Sequence, residues 1–161
     1  MKAGDVAAAV GRGLFAGFAG TAAMTVSRTL EAKLRGREPD TAAAATAAGK
    51  VLGVQPRNPA GRERFSNVVH WTYGTSWGAA RGVLDVAGFG RTTAPIAHFA
   101  AVWGSAHLML PRLDAAPPLQ ETEKKELAFD VLHHVVYAVA TSLAYGALQE
   151  PERRRISLSL G

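Results

Sequence analysis

Charged residues leave four long gaps along the chain. None occurs between Arg12 and Arg28, between Arg64 and Arg81, or between Arg91 and Arg112, and from Leu127 to Gln149 the single formal charge is Asp130. Ala, Gly, Val, Thr and aromatic residues fill the gaps, rather than Leu and Ile. A surface helix of a soluble bundle repeats a charged face every 3.6 residues. These stretches have no such face. A helix that is apolar all round is either buried or spans a bilayer, whose core of about 30 Å takes roughly 20 residues. A chain of 161 residues is too short to bury four such helices completely. The pattern therefore predicts an all-α fold, a four-transmembrane-helix bundle, with the shorter gaps extended by snorkelling of their flanking arginines. Trp71, Trp77, Trp103, Tyr137 and Tyr145 lie inside the gaps, several near their ends, where aromatic side chains favour the bilayer interface. A water-soluble helical bundle is the alternative.

The gaps are related to one another. Displaced by 64 residues, the segment His70 to Leu84 overlies His134 to Leu148 and keeps His70/His134, Tyr73/Tyr137, Ala80/Ala144, Gly82/Gly146 and Leu84/Leu148. Displaced by 84 residues, Gly13 to Arg28 overlies Ala97 to Arg112 and keeps Phe15/Phe99, Ala16/Ala100, Gly20/Gly104, Ala22/Ala106 and Arg28/Arg112. Two ordered matches predict two repeated helical hairpins, related by a pseudo-two-fold axis along the membrane normal. The offsets differ by 20 residues, the size of an insertion in the first loop. Asp40 reads as an N-cap there, before the Ala-rich run Thr41 to Val54 that Gln55-Pro56 closes, so the insertion is a short extra helix at about 40–55. The chain is read as one membrane domain, 1–161. Its first hairpin is 1–88, its second 89–150 and its tail 151–161, with Gly88 and Gly90 turning between the halves.

Small residues recur every four positions: Gly74, Gly78 and Gly82, their repeat partners Ala138, Ser142 and Gly146, and Gly13 with Gly17 in the first helix. Residues four apart share a helix face, and small side chains there let backbones approach closely. The stripe predicts helix packing within one chain, with a homo-oligomer seam or a partner membrane protein as the alternative.

Composition sharpens this picture. The 18 Lys and Arg against 13 Asp and Glu give a charge of +5, and mean hydropathy is only +0.04, because charged loops are averaged with charge-free helices. Eleven of the basic residues fall in the first and third loops and seven in the termini and central loop, so the positive-inside rule puts the long loops in the cytoplasm. No cleaved leader is expected, since the first apolar stretch follows Arg12 without a small-residue cleavage site. The absence of cysteine excludes disulfide scaffolds, zinc ribbons, cysteine-ligated iron–sulfur clusters and a cysteine nucleophile. No P-loop, dinucleotide-binding glycine pattern, nucleophile elbow or His-Glu-x-x-His occurs, and no nucleic-acid-reading motif accompanies the basic loops.

All five histidines, His70, His98, His107, His133 and His134, lie in the apolar stretches. Ionisable groups inside a membrane are costly and mark candidate sites. Two chemistries would use them: haem b held between His70 and His134, or a metal held by His70, His107, Asp130 and His134. The third reading is plain interhelical hydrogen bonding. His98 stands half a turn out of phase with His107, so both cannot face one site.

His70-Trp-Thr-Tyr-Gly74, Trp77-Gly78, Trp103-Gly104, the double proline within Leu113 to Leu119, and His134-Val-Val-Tyr137 resemble the YagU-like family of small polytopic bacterial inner-membrane proteins of unknown function. The resemblance spans roughly Phe65 to Leu148, with Ala138 where such relatives often have Gly. It implies a multi-pass protein of the bacterial inner membrane surrounded by lipid, and supplies no catalytic residues. The combined expectation is a non-catalytic structural or accessory membrane component.

Overall fold

Local backbone chemistry sets where the helices begin and end. Before Pro59, the Asn58 side chain accepts a hydrogen bond from the Gly61 amide at 2.7 Å, and proline suits the first helical position because its missing N–H has no partner to lose. At the other end of a helix, Gly36 takes φ 65° so that the Arg37 amide reaches back to the Ala32 carbonyl at 2.9 Å. Gly88, at φ 87°, closes the next long helix in the same way, with Phe89 bonding Leu84.

The computed structural model describes residues 2–38 and 42–159, with the backbone alone from 151 onward. Every regular element described is helical: α1 Ala3–Leu34, α2 Ala42–Leu52, α3 Pro59–Val86, α4 Thr93–Arg112 and α5 Lys124–Ser159, with a 3-10 turn at Leu119–Glu121. Each charge-free stretch lies inside one long helix, and α2 occupies the insertion in the first loop. The expected Asp40 cap lies outside the described residues. α5 continues past 150, where the tail was expected to begin, and carries its helix through Pro151.

Two of the helices, α1 and the Lys124–Glu150 part of α5, are long and apolar enough to cross a membrane. The other two long helices fall short for compositional reasons. α3 carries Arg62, Glu63, Arg64, Arg81 and Asp85 besides its Ser, Thr, Asn and His, and α4 has only 20 residues with two histidines among them.

α1 is the centre of the packing. It runs antiparallel to α3, with Gly13 against Gly78, Gly17 against Thr75 and Gly78, Thr21 against Gly74, and Ala9 against Gly82. It also runs antiparallel to α5, with Gly20 pressed on Tyr137 and Thr141. α4 closes the ring between α3 and α5, and α2 lies across α3 and touches α4. From Ala9 to Met24 the buried residues of α1, Ala9, Gly13, Ala16, Gly17, Gly20, Thr21 and Met24, recur at three and four, and Glu31 and Ala32 are buried further along.

Apart from Met24, Val102, Tyr137 and Tyr145, what lies inside is mostly small or polar, and many large apolar side chains lie outside. Ala16, Thr21, Thr141 and His98 are fully enclosed, whereas Phe15 is 76%, Leu143 70% and Ile96 69% exposed. Phe18, Val26, Val68, Leu108 and Val139 also face outward. Globules in water show the reverse preference, burying Leu, Ile, Val and Phe first.

Candidate functional site

Rotation of α4 and α5 about their axes brings Trp103, His107 and Asp130 to one point. The Asp130 carboxylate accepts from Trp103 Nε1 at 2.9 Å and from His107 Nε2 at 3.1 Å through the same oxygen, Oδ2. Its other oxygen faces Arg28 of α1 at 3.7 Å and His134 Nδ1, one turn along α5, at 3.3 Å. His134 Nδ1 also donates to the Asp130 carbonyl at 2.8 Å. One carboxylate thereby ties α4 and α5 to α1, and the Trp103 and His107 rings meet edge to face at 4.5 Å.

The other imidazoles at this level bond to α1 hydroxyls. His70 Nε2 lies 2.9 Å from Thr25 Oγ1, and His133 Nδ1 lies 2.9 Å from Ser27 Oγ. Thr25 donates its own hydroxyl proton to the Thr21 carbonyl, so His70 is the donor in the first pair.

These side chains surround a chamber of about 530 Å³. Its floor is Met24, Val102 and Tyr137 with Trp77 packed against them, and Tyr137 is fixed there by donating to the Gly74 carbonyl at 2.6 Å. Its roof is the inward face of α2, with Ala43, Ala44, Ala47 and Ala48. Its walls carry His70, His107, His133 and His134. From Glu126 at the mouth to Tyr137 at the floor is eleven residues of α5, about 16 Å at the helical rise. A second cavity of about 910 Å³ lies on the other face of α2, and the two share Arg28 and His70.

An ion-pair network closes the rim. Arg35 bonds both Glu31, at 2.6 Å, and Glu126, and Arg37 reaches Glu31 at 2.9 Å. The hydrogen bonds from Glu126 and then Glu31 raise the Arg35 pKa above its ordinary value, so it stays charged.

No protein family, curated protein or solved structure matches the chain.

The expected metal set is not assembled. Among the described residues no group of three or more His, Asp and Glu side chains is disposed to hold a metal ion. His107 and His134 turn nitrogens onto Asp130, and His70 bonds a threonine on another helix, so the four groups do not converge on one point. His70 and His134 do line the same chamber. A haem between them would have to use His70 Nδ1 and His134 Nε2, the ring nitrogens that their present hydrogen bonds leave over. His98 is apart from these, beneath the floor, with Nε2 donating to the Trp77 carbonyl at 3.0 Å.

The glycine stripe splits. A methyl group on Gly13, Gly17, Gly74, Gly78 or Gly82 would strike the neighbouring helix, whereas Gly104 and Gly146 face open space. Ala138 is buried, and Ser142 accepts a hydrogen bond from Arg81 Nε at 3.3 Å.

Arg81 itself was legible only as the flank of a charge-free stretch. It is 4% exposed, with its guanidinium 4.4 Å above the Tyr145 ring. Nearby, Asp85 accepts from Tyr145 Oη at 3.2 Å and Gln149 Nε2 at 2.6 Å. The molecule thus has two polar centres at opposite ends, separated by the aromatic floor.

Proposed function

We propose that the chain is an integral membrane protein whose four long helices cross the bilayer as a multi-pass bundle in a bacterial inner membrane, acting as a non-catalytic accessory component. The observation that carries this reading is the inversion of polarity, with Phe15, Ile96 and Leu143 outward and Thr21, Thr141 and His98 within. A bilayer has no preference for keeping large apolar side chains inside, so packing there relies on small residues and interhelical hydrogen bonds. Close glycine contacts and the Thr25–His70 and Ser27–His133 bonds are of that kind. α3 crosses despite its polar residues because His70 bonds Thr25 of α1, Arg81 is buried over the Tyr145 ring, and the exposed Ser76 satisfies its hydroxyl on the Thr72 carbonyl of its own helix.

The same reading takes α1–α3 and α4–α5 as two copies of one hairpin, in accord with the antiparallel ring in which α1 and α4 occupy opposite corners. It also keeps the YagU-like kinship that the His-Trp-Thr-Tyr-Gly motif suggests.

Carbonate extraction of expressing cells tests the claim. The chain is expected in the membrane pellet and released only by detergent; recovery in the high-speed supernatant without detergent overturns it. Single cysteines in this cysteine-free chain add the topology. Val54→Cys and Phe89→Cys, at opposite ends of the bundle, are expected to react with an impermeant maleimide from opposite sides of the membrane, Val54 from the cytoplasm.

A further inference from the structure

Hydrogen bonding fixes the proton on three of the imidazoles that line the chamber. Thr25 has given its hydroxyl proton to Thr21, so the His70 proton sits on Nε2. The Asp130 carboxylate holds the His107 proton on Nε2, and the Asp130 carbonyl holds the His134 proton on Nδ1. In the neutral tautomers that these bonds select, His70 Nδ1, His107 Nδ1 and His134 Nε2 each keep a bare lone pair. None of the three is sealed off, and the His107 and His134 side chains retain 21% and 12% exposure. On the histidine side the chamber therefore offers acceptors to a ligand that carries a donor.

Charge and shape narrow the class. At the chamber and its rim, Arg28, Arg35 and Arg37 stand against Glu31, Glu126 and Asp130, each paired within the set, so neither an anion nor a cation finds an uncompensated opposite charge. Tyr73, Trp77, Phe129 and Tyr137 supply ring faces and edges to the interior, where offset or edge contacts with a second ring are favourable. The Ala-rich underside of α2, with Val51 and Leu52, leaves room for an apolar tail.

We infer that the chamber binds a neutral amphiphile headed by a hydroxylated aromatic ring, a phenol or hydroquinone, whose one or two O–H groups donate to lone pairs among those of His70, His107 and His134. The inference goes beyond membrane location and stands on the chamber alone.

A matched pair of probes tests it on the purified full-length chain in detergent. 4-Hexylresorcinol carries two donors, and its dimethyl ether has the same ring and tail with none. Tryptophan emission, dominated at the floor by Trp77, reports occupancy. Saturable binding is expected for the diol, tighter than the ether by about tenfold or more, since one hydrogen bond is worth roughly that factor. His134→Phe, which keeps a ring and removes the lone pair, is expected to narrow the ratio. If that variant does not fold, the two probes on the unaltered protein still decide. Equal affinity for diol and ether, or a quench that never saturates, overturns the inference. Tighter binding of a straight-chain alcohol than of the diol overturns the aromatic head. A one-equivalent haemin titration giving a bis-imidazole Soret band also overturns it, in favour of a porphyrin.

Discussion

Gly78→Ala probes the closest approach of backbone to backbone among the described glycines. The added methyl carbon would lie 2.1 Å from the Gly13 carbonyl oxygen and 2.5 Å from the Gly17 Cα. Carbon and oxygen in interhelical contact settle at about 3.4 Å, so α1 and α3 would have to part by roughly 1.3 Å. A gap of about 1 Å already forfeits up to roughly half of each van der Waals contact along the seam. Both obstructing groups are backbone, which cannot swing aside, so the penalty belongs at the upper end of overpacking, about 3 kcal/mol. Alanine returns about 1 kcal/mol of helix propensity, leaving a net loss near 2. Gly104→Ala is the control, because an added methyl there meets nothing within 4 Å and gains only the propensity term. The two isosteric changes should therefore differ by about 3 kcal/mol, more than a hundredfold in the unfolding equilibrium. Unfolding in mixed micelles with rising dodecyl sulfate, followed by circular dichroism, measures that difference directly. Midpoints and slopes that coincide for the two variants would refute the seam as described.

Other outcomes follow from single contacts. Asp130→Ala removes the shared acceptor of Trp103, His107 and His134 and should lower stability by about 2 kcal/mol in the same assay, with Asp130→Asn losing less. Tyr137→Phe deletes the bond to the Gly74 carbonyl at the chamber floor and should lose about 1 kcal/mol while leaving the helical content unchanged. Arg81→Met exchanges a buried cation, one of whose terminal nitrogens has no partner, for an apolar chain of similar length. The change leaves Ser142, the Tyr145 ring and nearby Asp85 without their cation, so the unfolding midpoint should fall by about 2 kcal/mol, and an unchanged or raised midpoint contradicts this account. Ala47→Phe, on the inner face of α2, should abolish saturable binding of the diol probe without lowering the midpoint by more than about 1 kcal/mol.

The helices are legible in the sequence because charge exclusion is local and strong: each gap between arginines maps onto one helix. α2 is legible for the same reason, an alanine run closed by Gln55-Pro56, and Gly88 reads as the turn that its φ of 87° makes it. Helix rotation is not legible. Gly20 and Gly104 are superimposed by the 84-residue offset, yet one presses on Tyr137 and Thr141 while the other faces open space. Spacing within a helix fixes which residues share a face, and the neighbours decide which face is used. Asp130 stands out as the lone acid of its stretch, but its partners lie 23 and 27 residues away on α4, a distance that no local pattern encodes. Arg81 misleads for a related reason. The α3 face bearing Gly78 and Gly82 is drawn against α1, and Arg81 on the same turn goes inward with it instead of snorkelling outward.

The uneven use of glycine has a dynamic consequence. α1, α3 and α5 interlock backbone against backbone or through Gly20, while α4 holds its place by a few side chains, chiefly His98, Val102, Trp103 and His107. Three helices are interlocked and the fourth is the least firmly held. Its amides are expected to exchange with solvent deuterium by small-amplitude opening long before those of α1 do, and since α4 also forms one wall of the chamber, that opening is where access to the chamber is expected to be set.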